Sequence, residues 1–189
     1  MLTDEQGKIL IRLTRQVIEE NLEMTPTDPV SEKELADPIF RQHKPLFVTL
    51  NIRGLLRGCI GSLIATESII DAIRRHAVNA AFLDQRFPPV TEDEVAELEI
   101  NISLLTDPQP LEYQTADDLE RKLRPGIDGV ILRDPSMGAA TFLPQVWEQL
   151  PTVPLFLGHL CGKAGLPEDT WQKRHVQILT YQVQYFKEK

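Results

Sequence analysis

The sequence predicts an α+β protein with a mainly antiparallel sheet flanked by helices. Three observations carry that reading. Short runs with alternating apolar residues, the mark of strands with one buried face, recur along the chain. They are joined by tight hairpins or by pairs of helices, and the strand–helix–strand alternation of a doubly wound parallel sheet is missing. The order strand, strand, helix, helix, strand occurs twice, which allows an internal duplication although no residue-level echo links the halves.

Thr3, followed by Asp4 and Glu5 with Gln6 in the capping-box position, opens the first helix. Ile9, Leu10, Leu13, Val17, Ile18 and Leu22 recur at helical spacing, and the helix is expected to end near Met24, before Pro26. Residues 25 to 45 carry four prolines and read as a connecting segment with a short helix at Glu32 to Ala36. "PLFVTLNI" alternates Leu46, Val48, Leu50 and Ile52 against Phe47, Thr49 and Asn51, so it is a strand; Arg53-Gly54 turns the chain and "LLRGCIGSLI" returns as its hairpin partner. Ser68 and Asp71 cap a helix running to about Phe82, with Ile69, Ile70, Ile73, Ala77 and Ala80 on its apolar face. "DQRFPP" breaks it, Thr91 and Glu94 box a short helix, and "LEINISLL" alternates as a strand.

After "TDPQP" the order begins again. Thr115 and Asp118 cap a short helix, and "GVILRD" and "AATFL" form a hairpin around a turn at "DPSMG". Pro144 suits the first turn of a helix, "PQVWEQL". A second helix, "LFLGHLCGKAG", stops at Gly165, and "VQILTYQVQYF" is the last strand. Trp147 and Trp171 are expected in the core.

Composition narrows the function. A formal net charge of -8 over 189 residues disfavours a general nucleic-acid binder, which needs a basic face. The N-terminus "MLTDEQGKIL" has acidic residues where a signal peptide needs an apolar run, and no run approaches membrane-spanning length. Two cysteines, Cys59 and Cys161, do not make a disulfide framework, so a cytoplasmic protein with reduced thiols is expected.

The stretch that asks for an explanation is "LRGCIGSL", Leu56 to Leu63, because glycines weaken a strand interior. Period-two alternation places Arg57, Cys59 and Gly61 on one face. Gly61 then removes a side chain beside Cys59, and Gly58 lets a backbone or ligand approach from the other side. A neighbouring cation favours thiolate, the nucleophilic form of cysteine. The same residues also fit a plainer account, in which Cys59 is a small buried hydrophobe, Arg57 pairs with an acid and the glycines accommodate a bulge. "RGLLRGCIG" is neither a dinucleotide nor a Walker fingerprint, since a strand follows it where both need a helix. His43, His76, His159 and His175 form no pair at metal-ligand spacing, and His159 and Cys161, two apart on a helix, face different ways, so no metal site is expected. No "GxSxG" or "SxxK" element is present.

"LRGCIGSL" closely resembles the signature of the AMMECR-one domain family, whose bacterial and archaeal members are often named AmmeMemoRadiSam system protein A. The resemblance runs in order through "PLFVTLNIRGLLRGCIGSL", "AAFLDQRFPPVTEDEVAELEINISLLTDPQPL", "GIDGVIL", "ATFLPQVWEQL" and "HLCGKAGLPEDTW". It implies a single domain over residues 1–189, with two lobes of about 1–106 and 107–189 that share a sheet and flank a cleft lined in part by the signature. It implies no settled activity and names no cofactor. It implies association with a Memo-like protein and a radical-SAM protein. Animal members carry a histidine where this chain has Asp128, so any role of that histidine is in doubt here.

Carried onto matching positions, the site candidates are Cys59 and Arg57 as catalytic residues, and Gly58, Gly61, Arg86 and Thr141 as ligand-binding residues. Phe142 and Pro144 of the same "ATFLPQ" motif are also carried over; Phe142 alternates with core positions and is expected to pack, and Phe87, Pro88 and Pro89 of "DQRFPP" fit the pinning of a turn. Three functions follow: a cleft enzyme using the Cys59 thiol, a small-ligand or anion-binding protein using Arg57 and the glycine backbone, or a non-catalytic adaptor for the two partner proteins.

Overall fold

The structure is a computed structural model, and it describes residues 1–135 and 138–188. The centre of the expected "DPSMG" turn, residues 136–137, lies outside the described residues. The chain divides into two compact units. The first comprises residues 1–105 with 184–189, and the second comprises residues 106–183.

In the first unit, helix α1 (Asp4–Asn21) begins at the Thr3–Gln6 capping box and buries Leu10, Leu13, Val17 and Ile18. It ends before Met24, because Glu23 takes a left-handed conformation (φ 58°) and the Met24 amide turns back to the Glu19 carbonyl. Helix α2 (Glu32–Leu35) and a 3-10 turn (Pro38–Arg41) lead to strand β1 (Leu46–Ile52). Strand β2 (Leu55–Ser62) returns beside it, followed by helix α3 (Ile69–Phe82), helix α4 (Glu92–Val95) and strand β3 (Leu98–Leu105). Leu46, Val48 and Leu50 of β1 and Ile100 and Ile102 of β3 are fully buried, and they join Ile69, Ile73 and Ala77 of α3 in one core.

The second unit holds the short strand β4 (Gln109–Pro110), helix α5 (Ala116–Lys122), strands β5 (Gly129–Asp134) and β6 (Gly138–Phe142), a 3-10 turn (Pro144–Glu148), helices α6 (Val153–Lys163) and α7 (Thr170–Lys173), and strand β7 (Gln177–Tyr181). Strand β8 (Val183–Lys187) follows and belongs to the first unit from Gln184 onward. Both tryptophans are core residues. Trp147 stacks on Phe156 with ring centroids 3.7 Å apart and donates its Nε1–H to the Asp128 carbonyl, and Trp171 is buried.

The fold is α+β with antiparallel sheets. The described residues form two sheets of four strands, in the orders β2-β1-β3-β8 and β4-β7-β5-β6. This corrects the expectation of a single shared sheet. The apparent last strand is two strands that part at Gln182, one in each sheet. The central orders β2-β1-β3 and β6-β5-β7 match, so the strand–strand–helix–helix–strand order does occur twice. The fourth strands are exchanged. β8 follows β7 but lies beside β3, and β4 follows β3 but lies beside β7. Two smaller expectations also change: "PQVWE" is a 3-10 turn and "QP" within "TDPQP" is a strand. Among the described residues no helix is long and apolar enough to cross a membrane.

Gly58 shows how tightly α3 lies on β2. A Cβ built there would sit 2.1 Å from the Ala80 carbonyl oxygen, which belongs to helix backbone and cannot swing aside. Gly58→Ala is therefore expected to destabilise the fold by about 1–3 kcal/mol, the usual cost of overpacking, and denaturant unfolding of the full chain measures it.

Candidate functional site

The β1–β2 hairpin turns at Arg53 (φ 52°) and Gly54 (φ 75°), the paired left-handed conformations that suit a two-residue hairpin. From the turn, Ile52 opposes Leu55 and Asn51 opposes Leu56, and then the register shifts: Leu50 opposes Gly58 and Thr49 opposes Cys59. Arg57 is the extra residue of a β-bulge. The even alternation that put Arg57 and Cys59 side by side is thus interrupted between them.

The Arg57 guanidinium serves a different partner. Its Nε and Nη2 donate to the two Glu94 oxygens at 2.8 and 2.9 Å, Nη1 donates to the Pro88 carbonyl at 2.8 Å, and Nη2 also donates to the Pro89 carbonyl at 3.1 Å. Glu94 accepts as well from the Thr91 amide as the N3 residue of the α4 capping box. The Arg57 hydrogen bonds, ahead of the cap contacts, hold the Glu94 carboxyl down to about 2 from its ordinary 4.5. Arg57 ties the 88–94 segment to β2; the structure gives it no bond to the sulfur.

Cys59 is half-buried and is clamped through its backbone. Its N–H donates to Asp84 Oδ2 at 2.9 Å, and its carbonyl accepts from Arg86 Nη2 at 3.0 Å. Arg86 in turn grips Asp84 through Nε and Nη2 at 2.9 and 2.7 Å. These bonds, led by that from Arg86, hold the buried Asp84 carboxyl well below the usual carboxylate range. Because β2 is an edge strand, Asp84 and Arg86 occupy backbone groups that would otherwise be unpaired. The sulfur accepts a hydrogen bond from Thr49 Oγ1 at 3.2 Å. Thr49 is also in register with Asn101 of β3, so Cys59, Thr49 and Asn101 form a row across three strands. This row alternates with the buried residues Val48 and Leu50, so it lies on the sheet face opposite α3.

The two glycines beside Cys59 have different reasons. Gly58 admits the α3 backbone, as described. A Cβ at Gly61 would collide with the Phe47 ring at 2.3 Å, so the space expected beside Cys59 is filled by an aromatic ring lying on its cross-strand glycine.

Thr141 belongs to the second unit. Its Oγ1 donates to the Val130 carbonyl at 2.9 Å and lies 2.9 Å from Tyr181 Oη, which itself donates to the Phe142 carbonyl at 3.1 Å. Burial pushes the Tyr181 phenol up to about 12. The Tyr181 ring covers Gly129, where a Cβ would approach within 2.4 Å. Phe142 packs edge-on against Phe156, and Pro144 is buried at the start of its 3-10 turn. Asp128 is buried and accepts from the Arg124 amide, Nε and Nη2, closing the turn before β5. It is an architectural residue.

Thr49, Asp84 and Glu94 were not among the candidates. The signals for them are the hairpin register and the "DQR" triplet after α3, which is legible once β2 is known to be an edge. No described group of three or more His, Cys, Asp or Glu side chains could hold a metal ion. A cavity of about 650 Å³ in the first unit contains none of the candidates, and its five glutamates around Arg15 disfavour an anionic ligand.

The sequence matches the AMMECR1 family profile over residues 11–186. The chain belongs to the AMMECR1 family. A protein of Methanothermobacter thermautotrophicus is 35% identical, with 99% of this chain and 96% of that one covered. A Methanosarcina barkeri protein is 38% identical, with coverage of 100% and 93%. The crystal structure of the uncharacterized protein PH0010 from Pyrococcus horikoshii is similar at a TM-score of 0.85 and 32% identity, covering 100% of this chain and 94% of that one. Within this AMMECR1 chain, the acidic partners of Arg57 and Arg86 give the site an acid dependence. Glu94 favours the folded state when ionised, so its contribution is complete above about pH 4.5 and is lost as pH falls through about 2. Glu94→Gln is expected to lower stability at neutral pH by about 1–2 kcal/mol and to flatten the acid limb between those values, as read from urea unfolding across pH.

Proposed function

We propose that this AMMECR1-family protein binds a small ligand at the Cys59 thiol, acting in the cytoplasm beside a Memo-like protein and a radical-SAM protein. One observation carries the reading: Asp84 and Arg86 fix both backbone polar groups of one half-buried cysteine, and Thr49 aims a hydroxyl at its sulfur. A thiol carried on a backbone clamped at both polar groups, with a hydroxyl on its sulfur, is a preorganised contact point. Ligand binding is favoured over nucleophilic catalysis because Arg57 is engaged by Glu94, Pro88 and Pro89, and Arg86, the cation that does reach Cys59, is committed to Asp84 and the Cys59 carbonyl.

Maleimide treatment of the folded chain is expected to modify Cys59 and to spare Cys161, which is fully buried and whose thiol burial pushes up. A Cys59 that stays unlabelled until the chain unfolds overturns the reading. Thermal-shift screening then seeks compounds that stabilise the wild type and lose that effect in Cys59→Ser, with a gain on the order of 2.7 kcal/mol at a hundredfold excess over Kd.

The adaptor reading rests on a separate observation. Leu55 and Leu56, beside the hairpin turn, are 75% and 42% exposed, and Leu83, beside Asp84, is 64% exposed. Leucines displayed in this way suit a protein contact. Replacing Leu55 and Leu56 by serine is expected to abolish co-purification with the Memo-like and radical-SAM proteins while leaving Cys59 labelling intact. Separate elution of the three wild-type proteins counts against this second reading.

A further inference from the structure

His76, on α3, is almost fully buried, at 2% exposure, and its Nδ1 has no hydrogen-bond partner among the described residues. It lines a crevice too tight to admit a water molecule, together with Lys44, Ser62, Ile64, Thr66, Glu67 and Arg75. A buried ring nitrogen without a hydrogen-bond partner is a costly arrangement. The contact at the other nitrogen shows how the ring is held. Arg75 Nη2 lies 3.4 Å from His76 Nε2, and a guanidinium can only donate, so Nε2 accepts and the ring hydrogen sits on Nδ1. Arg75 is in turn bound to Glu67 through Nε at 2.7 Å. Glu67, Arg75 and His76 thus form a chain from the segment that joins β2 to α3 onto the helix itself.

That chain works for one protonation state. A proton can enter only at Nε2, where it removes the acceptor facing Arg75 and sets a second positive charge against the guanidinium. The charged groups around the crevice are Lys44 from the segment before β1, Glu67 from the segment before α3, and Arg75 on α3. Two of the three are cations, and Glu67 is already bound to Arg75. Burial first, and then Arg75, push the His76 ring down from its ordinary 6.5, while Glu67 opposes them weakly. The folded arrangement therefore favours the neutral ring, and its stability falls as pH drops below the value at which an unfolded histidine takes up its proton.

We propose that His76 is a proton-operated latch: its neutral ring keeps residues 63–67 closed over α3, and protonation releases them. Among the described residues the closed segment is tied to α3 through the Glu67–Arg75 pair, and its other bonds are local: Ser62 Oγ donates to the Ile64 carbonyl at 2.9 Å and accepts from the Ile64 amide at 3.0 Å, the Thr66 amide reaches the Ile64 carbonyl at 3.2 Å, and Ile64 is 70% exposed. A segment so lightly held opens without unfolding the core beneath it. It follows directly on β2, so its release frees the end of the strand that carries Cys59; the latch itself does not depend on Cys59 binding anything.

Hydrogen exchange of the full chain, read by mass spectrometry at about pH 7.5 and about pH 5.5 and corrected for intrinsic rates, tests the latch. Protection of residues 63–67 is expected to drop at the lower pH by at least about tenfold more than that of β1 and β3, and to stay high in His76→Gln, whose carbonyl still accepts from Arg75 but does not titrate. Nitrogen-resolved NMR of the wild-type His76 ring supplies a second readout that needs no variant, with the ring expected to titrate below its ordinary 6.5. Equal corrected protection at both pH values, the same acid loss in His76→Gln, or a His76 ring that titrates at or above its ordinary 6.5 overturns the proposal.

Discussion

The outer edge of β2 at Cys59 is the constraint from which the rest of the first unit's site follows. An edge strand leaves an N–H and a C=O facing outward, and a protein must cover them or expose a template for another strand. Here one carboxylate takes the N–H and one guanidinium takes the C=O, and the two are bonded to each other. For Asp84 to reach the strand, α3 must end beside it, and for α3 to lie that close its Ala80 carbonyl must pass over a residue with no side chain. Gly58 is that residue. The chain then turns back along the edge through Pro88 and Pro89, whose carbonyls Arg57 collects from the bulge. Bulge, glycine, helix end and loop form one solution to a single unpaired edge.

This solution also determines what kind of cysteine Cys59 is. Asp84 is buried, and removing Arg86 would leave a carboxylate without its counter-charge, a far larger penalty than the loss of an exposed ion pair. The clamp therefore cannot loosen at one point without cost at the others, and the cysteine backbone inherits that rigidity. Positions held in this way need not be reactive. They are reproducible in space, which is what recognition of a small ligand requires.

The strands were legible because their alternation is strong. Leu46, Val48 and Leu50, and Leu98, Ile100, Ile102 and Leu104, lie on the faces that period two assigns them, and the caps at Thr3, Ser68 and Thr115 begin their helices as read. Counting back from the Arg53–Gly54 turn places Gly58 opposite Thr49. The bulge at Arg57 moves Cys59 there instead; the glycines allow a bulge, as the plainer reading of the stretch had it, but do not say at which residue it falls. The pattern "VQILTYQVQYF" runs on as if continuous because hydrophobic alternation reports which face is buried and says nothing about which neighbour supplies the hydrogen bonds. The change of sheet at Gln182 is therefore silent in the sequence. Of the two readings of Arg57, pairing with an acid is the one the structure bears out over a place beside the thiol: the guanidinium takes a carboxylate and two carbonyls that the fold brings from 31 to 37 residues away.

The two sheets share one packing device and differ in what it leaves available. In each, an aromatic ring covers a cross-strand glycine, Phe47 over Gly61 in the first and Tyr181 over Gly129 in the second. The second sheet then closes on itself. The Tyr181 hydroxyl donates to the Phe142 carbonyl, Thr141 donates to Val130, and the two oxygens lie 2.9 Å apart, so both hydroxyl hydrogens are used internally. The first sheet carries a phenyl ring in that role, which has no polar atom to contribute, and the adjacent row of Cys59 and Thr49 holds a single internal bond between two half-buried side chains. A site for a ligand needs polar groups that are oriented and not yet satisfied. By that criterion Thr141, although it lies in an equally recognisable motif, is part of the scaffold, whereas the half-buried Cys59 side chain faces only the Thr49 hydroxyl and the Arg86 guanidinium among its described polar neighbours.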